Sequence, residues 1–295
     1  MSSPVAPAAG PRGIRVELRD IFRDLWASRE LTYQLTRRDI TIRYRQAVMG
    51  FLWAVLMPIL VVSSGFLVRL AMARYAGEPV HALSVAAIAV KALPWSFFVG
   101  AIGFATNSLS GNLNLVTKVY FPREVLTVST VLAQTKDAGV GLVVVGAALP
   151  FLGVHYGLTV LWIPVLLLLT LLITCAAGLF LACANLFFRD VKYLVQVFLT
   201  FGIFFTPVFY EPSMLGAQGA RVLMLNPLAP LLEGFRVAVV EGHNLLRPLT
   251  GMVKGAEMLI WSPWHLAYSA AWAIGGLVLS LLFFRRLAYL FAEYI

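Results

Sequence analysis

Long runs of apolar residues alternate with short polar interruptions along this chain, and the length of each run predicts what it forms. Six runs, near 49–73, 88–109, 127–152, 158–187, 191–210 and 265–287, reach the ~20 residues that cross a hydrocarbon core of ~30 Å at ~1.5 Å per residue. The fourth carries no charge over its whole length, so it has to tilt, extend into an interface or break near Pro164.

The pattern ahead of these runs differs. Ile14, Leu18, Ile21, Phe22, Leu25 and Trp26 recur at spacings of three and four with Arg and Asp between them, which predicts an amphipathic helix. The following stretch, SRELTYQLTRRDITIRYRQAVMG, is too charged to cross a bilayer. It carries Leu31, Leu35 and Ile42, with Tyr33, Ile40 and Tyr44 at positions suited to an interface, and is expected to lie along the cytoplasmic headgroups. Residues 1–13, MSSPVAPAAGPRG, lack the apolar core of a signal peptide and read as a flexible tail. The expected organisation is a tail at 1–13, interfacial amphipathic helices at 14–47 and a six-span membrane domain at 48–295.

The connection at 211–262 is too long and too apolar for a plain loop. In VLMLNPLAPLLEGFRVAVVEG, Asn226 suits a helix cap with Pro227 at the first position, and Leu231, Leu232, Phe235 and Val239 form a stripe. Short re-entrant helices at the membrane edge are expected here, since buried ends must be covered by protein. The fold class is therefore an all-α polytopic membrane protein, with six spans, an N-terminal amphipathic interface helix and re-entrant helices before the last span.

Composition agrees. The chain is 60% hydrophobic and 13% charged with a mean hydropathy of +0.84, beyond what a water-soluble surface carries. The net charge of +9 does not mark a nucleic-acid binder, because Lys and Arg sit between the apolar runs. Their placement sets topology: Arg37, Arg38, Arg43 and Arg45, then Lys118 and Arg123, Arg189 and Lys192, Arg285 and Arg286 fall on one side, which predicts both termini in the cytoplasm. Arg69, Arg74 and Lys91 flank the first outer loop, where two of them can snorkel.

Catalytic chemistry finds no support. The chain has no GxSxG elbow, no HExxH pair and no GxxxxGK[ST] phosphate loop, and the four histidines lack metal-ligand spacing. Cys175 and Cys183 would lie ~12 Å apart on one helix, too far for a disulfide. Gln134, Lys136 and Asp137 lie inside the third span, where ionisable groups face protein or water; interhelical pairing or wetting by a conduit explains them better than a proton relay.

One cytoplasmic connection stands out: NLNLVTKVYFPREVL, from Asn112 to Leu126, puts Lys118, Tyr120, Phe121, Pro122, Arg123 and Glu124 where a few polar residues would serve. Either it is a solvated loop that follows the positive-inside rule, or its adjacent aromatics dock against a partner. Arg37, Arg38, Arg43 and Arg45 likewise admit two readings, a topology signal attracted to anionic lipid at ~1 kcal/mol per cation, or a binding group for a phosphorylated substrate. Aromatic residues gather at Phe51 and Trp53 in the first span and at Phe201, Phe204, Phe205 and Tyr210 in the fifth; singly they suit lipid or interface, and as a group they suit a conduit on which sugar faces stack.

Four ordered segments carry a family resemblance: LTRRDITIRYRQAVMGFLWAVLMPIL (35–60), NLVTKVYFPREVL (114–126), LFFRDVKYLVQVFLTFGIFFTPVFY (186–210) and LNPLAPLLEGFR (225–236). Together they resemble the permease subunit of ABC exporters for lipid-linked polysaccharides, of the Wzm O-antigen and TagG teichoic-acid types. The resemblance implies a coupling helix at about 112–124, with Asn114, Lys118, Tyr120, Phe121, Pro122, Arg123 and Glu124 contacting a separate cytoplasmic ABC ATPase, which binds ATP and Mg while this chain holds no cofactor. It also implies two permeases with two ATPases in the bacterial inner membrane, and a polyprenyl-pyrophosphate-linked glycan as cargo. Arg37, Arg38, Arg43 and Arg45 would then meet the pyrophosphate, whose oxygens suit guanidinium forks. Teichoic acid or capsule polysaccharide, a small drug or peptide, and an ion-coupled carrier remain the alternatives.

Overall fold

The N-terminal amphipathic pattern forms two helices, α1 (Ile14–Ala27) and α2 (Arg29–Arg45). The computed structural model describes residues 14–45, 52–77, 79–118, 121–253 and 256–288. On α1 the expected stripe divides: Ile21 is buried and Leu18 and Leu25 pack beside it, while Ile14, Phe22 and Trp26 face outward.

The apolar runs follow as α3 (Leu52–Ala76), α4 (Ala82–Thr106), the short α5 (Leu113–Lys118), α6 (Glu124–Ala148), α7 (Trp162–Phe187) and α8 (Val191–Gly202). A 3-10 turn at Leu158–Leu161 leads into α7, so the long fourth run changes its winding just before Pro164. Then come α9 (Gly216–Leu223), α10 (Ala229–Val239), a β1 (Leu249–Val253) and β2 (Ala256–Trp261) hairpin, and α11 (Pro263–Leu287). Among the described residues the regular elements are helical apart from this hairpin, whose antiparallel register pairs Gly251 with Met258 and Met252 with Glu257.

Among the described residues five helices, α3, α4, α6, α7 and α11, are long and apolar enough to cross a membrane. The expected fifth run behaves differently: α8 has 12 residues, about 18 Å of helix at ~1.5 Å per residue, and turns replace the helix from Ile203 onward. This makes a multi-pass helical membrane protein.

At the centre stands α4, packed against α3, α6, α7 and α10, with an unbroken buried run from Ala86 to Trp95. Small residues let helices approach closely. A Cβ on Gly141 of α6 would meet the Leu93 side chain at 2.5 Å and that of Pro58 at 3.3 Å, so α3, α4 and α6 touch at this glycine. On the other side α7 packs along α11; Cys175 and Cys183, both on α7, are buried free thiols.

Lys91 corrects an expectation. It does not flank an outer loop but lies within α4, 1% exposed, because the helix starts at Ala82 and not near residue 88. Its Nζ donates to the Tyr210 carbonyl oxygen at 2.6 Å, which gives the buried ammonium an acceptor and ties α4 to the turns after α8.

The segment at 211–262 also departs from expectation. Its main helix begins at Ala229, while Asn226 closes the preceding turn by accepting from the Leu228 N–H at 3.1 Å. Every residue of α10 is buried, including Leu231, Leu232, Phe235 and Val239 of the expected stripe. Buried charge is satisfied locally: Arg236 donates through Nε to Glu233 Oε1 at 2.8 Å and bonds Glu241 as well, with Glu211 at 3.9 Å. Burial pulls the Arg236 pKa down, but the three carboxylates more than reverse this and hold the guanidinium charged.

Candidate functional site

α5 displays residues in two directions. Val116 and Leu115 turn inward to the cluster that contains Leu109, Val125 and Leu126, whereas Asn114 and Lys118, four apart and so on one helix face, are exposed. Phe121 packs on that inner cluster, Pro122 is half-buried and Glu124 is buried. Arg123 donates through Nη1 to the Ala288 carbonyl oxygen at 2.5 Å. The seven residues expected as one contact surface therefore separate: Asn114 and Lys118 face out, and Phe121, Arg123 and Glu124 face the bundle. Tyr120 lies outside the described residues.

The base of α5 is held by a residue that sequence reasoning passed over. Asn185, near the end of α7 and 2% exposed, donates to the Thr106 carbonyl oxygen at 3.0 Å and to Ser110 Oγ at 3.2 Å. Its Oδ1 accepts from the Lys192 N–H at 3.1 Å. One amide thus joins the end of α4, the turn before α5 and the start of α8.

At the same end, α2 packs along α6, so only its outer face, with Tyr33 and Ile42, is left for the headgroup position expected of the whole helix. Thr130 Oγ1 donates to Asp39 Oδ2 at 3.2 Å, and Thr36 Oγ1 to the Ser129 carbonyl oxygen at 3.3 Å. Arg43 Nη1 donates to Gln134 Oε1 at 2.6 Å and Asp137 Oδ2 at 2.7 Å, and its guanidinium lies 4.2 Å from the Phe104 ring centre. The Tyr44 hydroxyl also donates to Asp137, so this ring, expected at a lipid interface, is turned into the protein. Burial, and then Asp137, push the Tyr44 pKa up to about 12, which keeps the phenol a donor. Lys136 Nζ sits 4.2 Å over the Tyr44 ring.

The arginines expected as one group are consequently unlike. Arg37 is exposed. Arg38 is bound to Asp39 at 2.9 Å and to Asn112 Oδ1 at 3.2 Å. Arg43 is paired and half-buried, and the Arg45 side chain lies outside the described residues. Arg43 and Tyr44 stand at one end of a cavity of about 540 Å³ between α3, α4 and α6. Its walls are mostly apolar, with Pro58, Leu93, Trp95 and Phe97, and include Ser96, whose buried Oγ has no hydrogen-bond partner among the described residues.

A second hollow, about 520 Å³, lies between α4 and α8. Asn107, Lys192, Tyr193, Gln196 and Thr200 line it; the amides and hydroxyls both donate and accept, and the ammonium donates. Sequence reading took Lys192 only as a topology cation and missed the others; the signal was available, since Lys192, Gln196 and Thr200 repeat at a spacing of four on α8. Of the aromatic group, Phe201, Phe204 and Phe205 are exposed on this chain, and Tyr210 donates to the Phe204 carbonyl oxygen at 2.8 Å. Phe51 and the Trp53 side chain lie outside what is described.

A multi-pass helical bundle with a short outward-facing helix between two spans, beside an amphipathic helix that carries arginines, has the build of a transport permease. The chain belongs to the ABC-2 type transporter family, which matches residues 30–240. It is similar to the O-antigen export system permease protein RfbA of Myxococcus xanthus, 31% identical over 250 residues, 82% of this chain and 93% of that protein. The like-named protein of Klebsiella pneumoniae is 26% identical over 217 residues, covering 72% of this chain and 81% of its own length.

Proposed function

We propose that the chain is the transmembrane subunit of an ATP-driven exporter that moves a polyprenyl-pyrophosphate-linked polysaccharide, O-antigen-like, across the bacterial inner membrane. The observation that carries this reading is the similarity, over 82% of the chain, to a protein named for O-antigen export. ATP and Mg are bound and hydrolysed on a separate ABC ATPase, two copies of which serve two copies of this chain. Both termini face the cytoplasm. Six crossings are completed by α8 with the turns that follow it, and α9 and α10 re-enter the outer edge of the membrane.

The geometry supports roles for particular residues. Asn114 and Lys118 present the surface for the ATPase, while Phe121, Arg123 and Glu124 seat that surface on the bundle. Through Asn185 a push on α5 is passed to the start of α8, which moves one wall of the polar hollow against α4. Arg37 is available to the lipid pyrophosphate at once. Arg43 becomes available only when the anion replaces Asp137, because a guanidinium already paired has to exchange one acceptor for another. The apolar cavity beyond Arg43 suits a prenyl chain, and the Asn107, Gln196 and Thr200 groups suit sugar hydroxyls, with Phe201, Phe204 and Phe205 as stacking faces across the shared path of the dimer.

An ion-coupled carrier is disfavoured by the partners of the two membrane charges. Asp137 is held by Arg43 and Tyr44, and Lys136 rests on the Tyr44 ring, so among the described residues these charges close on one another and are not continued by further acids or histidines across the span. The test is reconstitution of the chain with a candidate ABC ATPase. Stimulation of hydrolysis by a lipid-linked glycan supports the reading, and movement of cargo by this chain alone contradicts it.

A further inference from the structure

At the end of the bundle away from α5, the turn at Pro212–Leu215, α9, α10, β2 and the start of α11 enclose a cavity of about 330 Å³. This lies near the lower bound of ~300 Å³ for pockets that hold a small ligand. None of the residues assigned above to coupling, to the pyrophosphate or to the conduit lies in it.

Its chemistry is mixed. Glu233, Glu257, Arg221, His265 and Ser213 contribute polar groups, and Met224, Met258 and Ile260 contribute apolar surface. Glu233 is the anchor. It is fully buried; Oε1 takes the Arg236 guanidinium, and Oε2 has no hydrogen-bond partner among the described residues. A buried carboxylate oxygen left unpaired is costly; in the present conformation Oε2 is closed off, and a ligand hydroxyl that pairs it has to turn the Glu233 carboxylate toward the cavity. His265 accepts the Ser262 N–H on Nδ1 at 3.4 Å, which leaves its Nε2 as the donor of the neutral ring.

The charges select the ligand. Glu233 and Glu257 oppose an anion. Arg221 opposes a metal ion, and among the described residues no group of three or more His, Cys, Asp or Glu side chains is placed to hold one. A neutral polyol uses every group: its hydroxyls donate to the carboxylates and accept from Arg221, His265 and Ser213, and its C–H face rests on the methionines. The geometry points to a binding site for a single neutral sugar unit in this cavity, at the exit end of the permease. The choice of sugar as cargo rests on the function proposed above.

The test is saturation-transfer difference NMR on the full chain in lipid nanodiscs with the methyl glycosides of glucose, galactose, mannose and rhamnose. At least one is expected to bind, and the Arg221→Gln, Glu257→Gln double variant to weaken it about tenfold, the scale of one or two lost hydrogen bonds. Both side chains are exposed, so this variant keeps the fold, which its thermal midpoint verifies. Absence of binding by all four glycosides, undiminished binding in the double variant, or binding of inorganic phosphate or calcium in their place overturns the site. Glycoside binding without glycan-stimulated hydrolysis by the ATPase complex would keep the site and remove the exporter reading; stimulated hydrolysis without glycoside binding would do the reverse.

Discussion

Asp137 of α6 accepts hydrogen bonds from both Arg43 and Tyr44, consecutive residues of α2. A helix that sequence pattern assigns to the membrane surface is thereby fastened to a membrane-spanning one by a carboxylate within the span. With the two ion-paired side chains 21% and 18% exposed, the pair is shielded enough to matter for stability yet close enough to water to exchange partners.

Removing either member should loosen α2. Arg43→Ala and Asp137→Ala are each expected to lower thermal stability in detergent, and the double variant to be scarcely worse than either, with a coupling of about 1.5–3 kcal/mol. Arg43→Lys keeps the charge but loses the fork, so it should retain folding better than export. A double-variant cycle on the thermal midpoints, run beside export assays, measures both.

The Tyr44 phenol adds a pH signature. Its pKa rises from the usual 10.0 to about 12 in the folded chain, so the native state holds this proton more tightly than the unfolded one. The stabilisation from its bond to Asp137 is complete below pH 10 and is lost as pH climbs to about 12. Tyr44→Phe should lose that alkaline dependence, which pH-dependent unfolding with tyrosinate absorbance records.

Buried charge on α10 offers a sharper contrast. Arg236→Met leaves Glu233 uncompensated and should cost about 3–5 kcal/mol, whereas Glu233→Leu with Arg236→Met removes both charges and should recover most of the loss. Helicity retained after extraction, followed on heating, distinguishes the two variants.

Asn185 joins α4, the turn before α5 and α8. Asn185→Ala removes three hydrogen bonds at one buried point and should leave ATPase binding intact while lowering glycan-stimulated hydrolysis about tenfold or more. Pull-down of the ATPase together with hydrolysis rates separates docking from transmission.

Much of this was legible in the chain, for reasons that also explain what was not. α3, α6, α7 and α11 announce themselves by apolar length, a property no partner can alter. α4 begins six residues before the expected start, and Lys91 within it could be read as flanking a loop because the carbonyl that accepts its hydrogen bond lies 119 residues away. Arg43 and Asp137 were each noticed, but 94 residues separate them, and no spacing rule joins side chains at that range. The hairpin was missed because LTGMV and AEMLIW are too short to differ from the apolar helices expected around them. Within the coupling segment, composition could not distinguish Lys118, which faces out, from Arg123, which binds the end of α11.

The central claim is that the outward face of α5 receives the ATPase's stroke. The measurement closest to it is glycan-stimulated ATP hydrolysis in proteoliposomes that hold the ATPase with wild-type chain or with the Asn114→Ala, Lys118→Ala variant. Both residues are exposed, so the variant folds; basal hydrolysis should persist while stimulation falls about tenfold or more, as for loss of an interface anchor. Stimulation and export at wild-type levels in this variant would contradict the account.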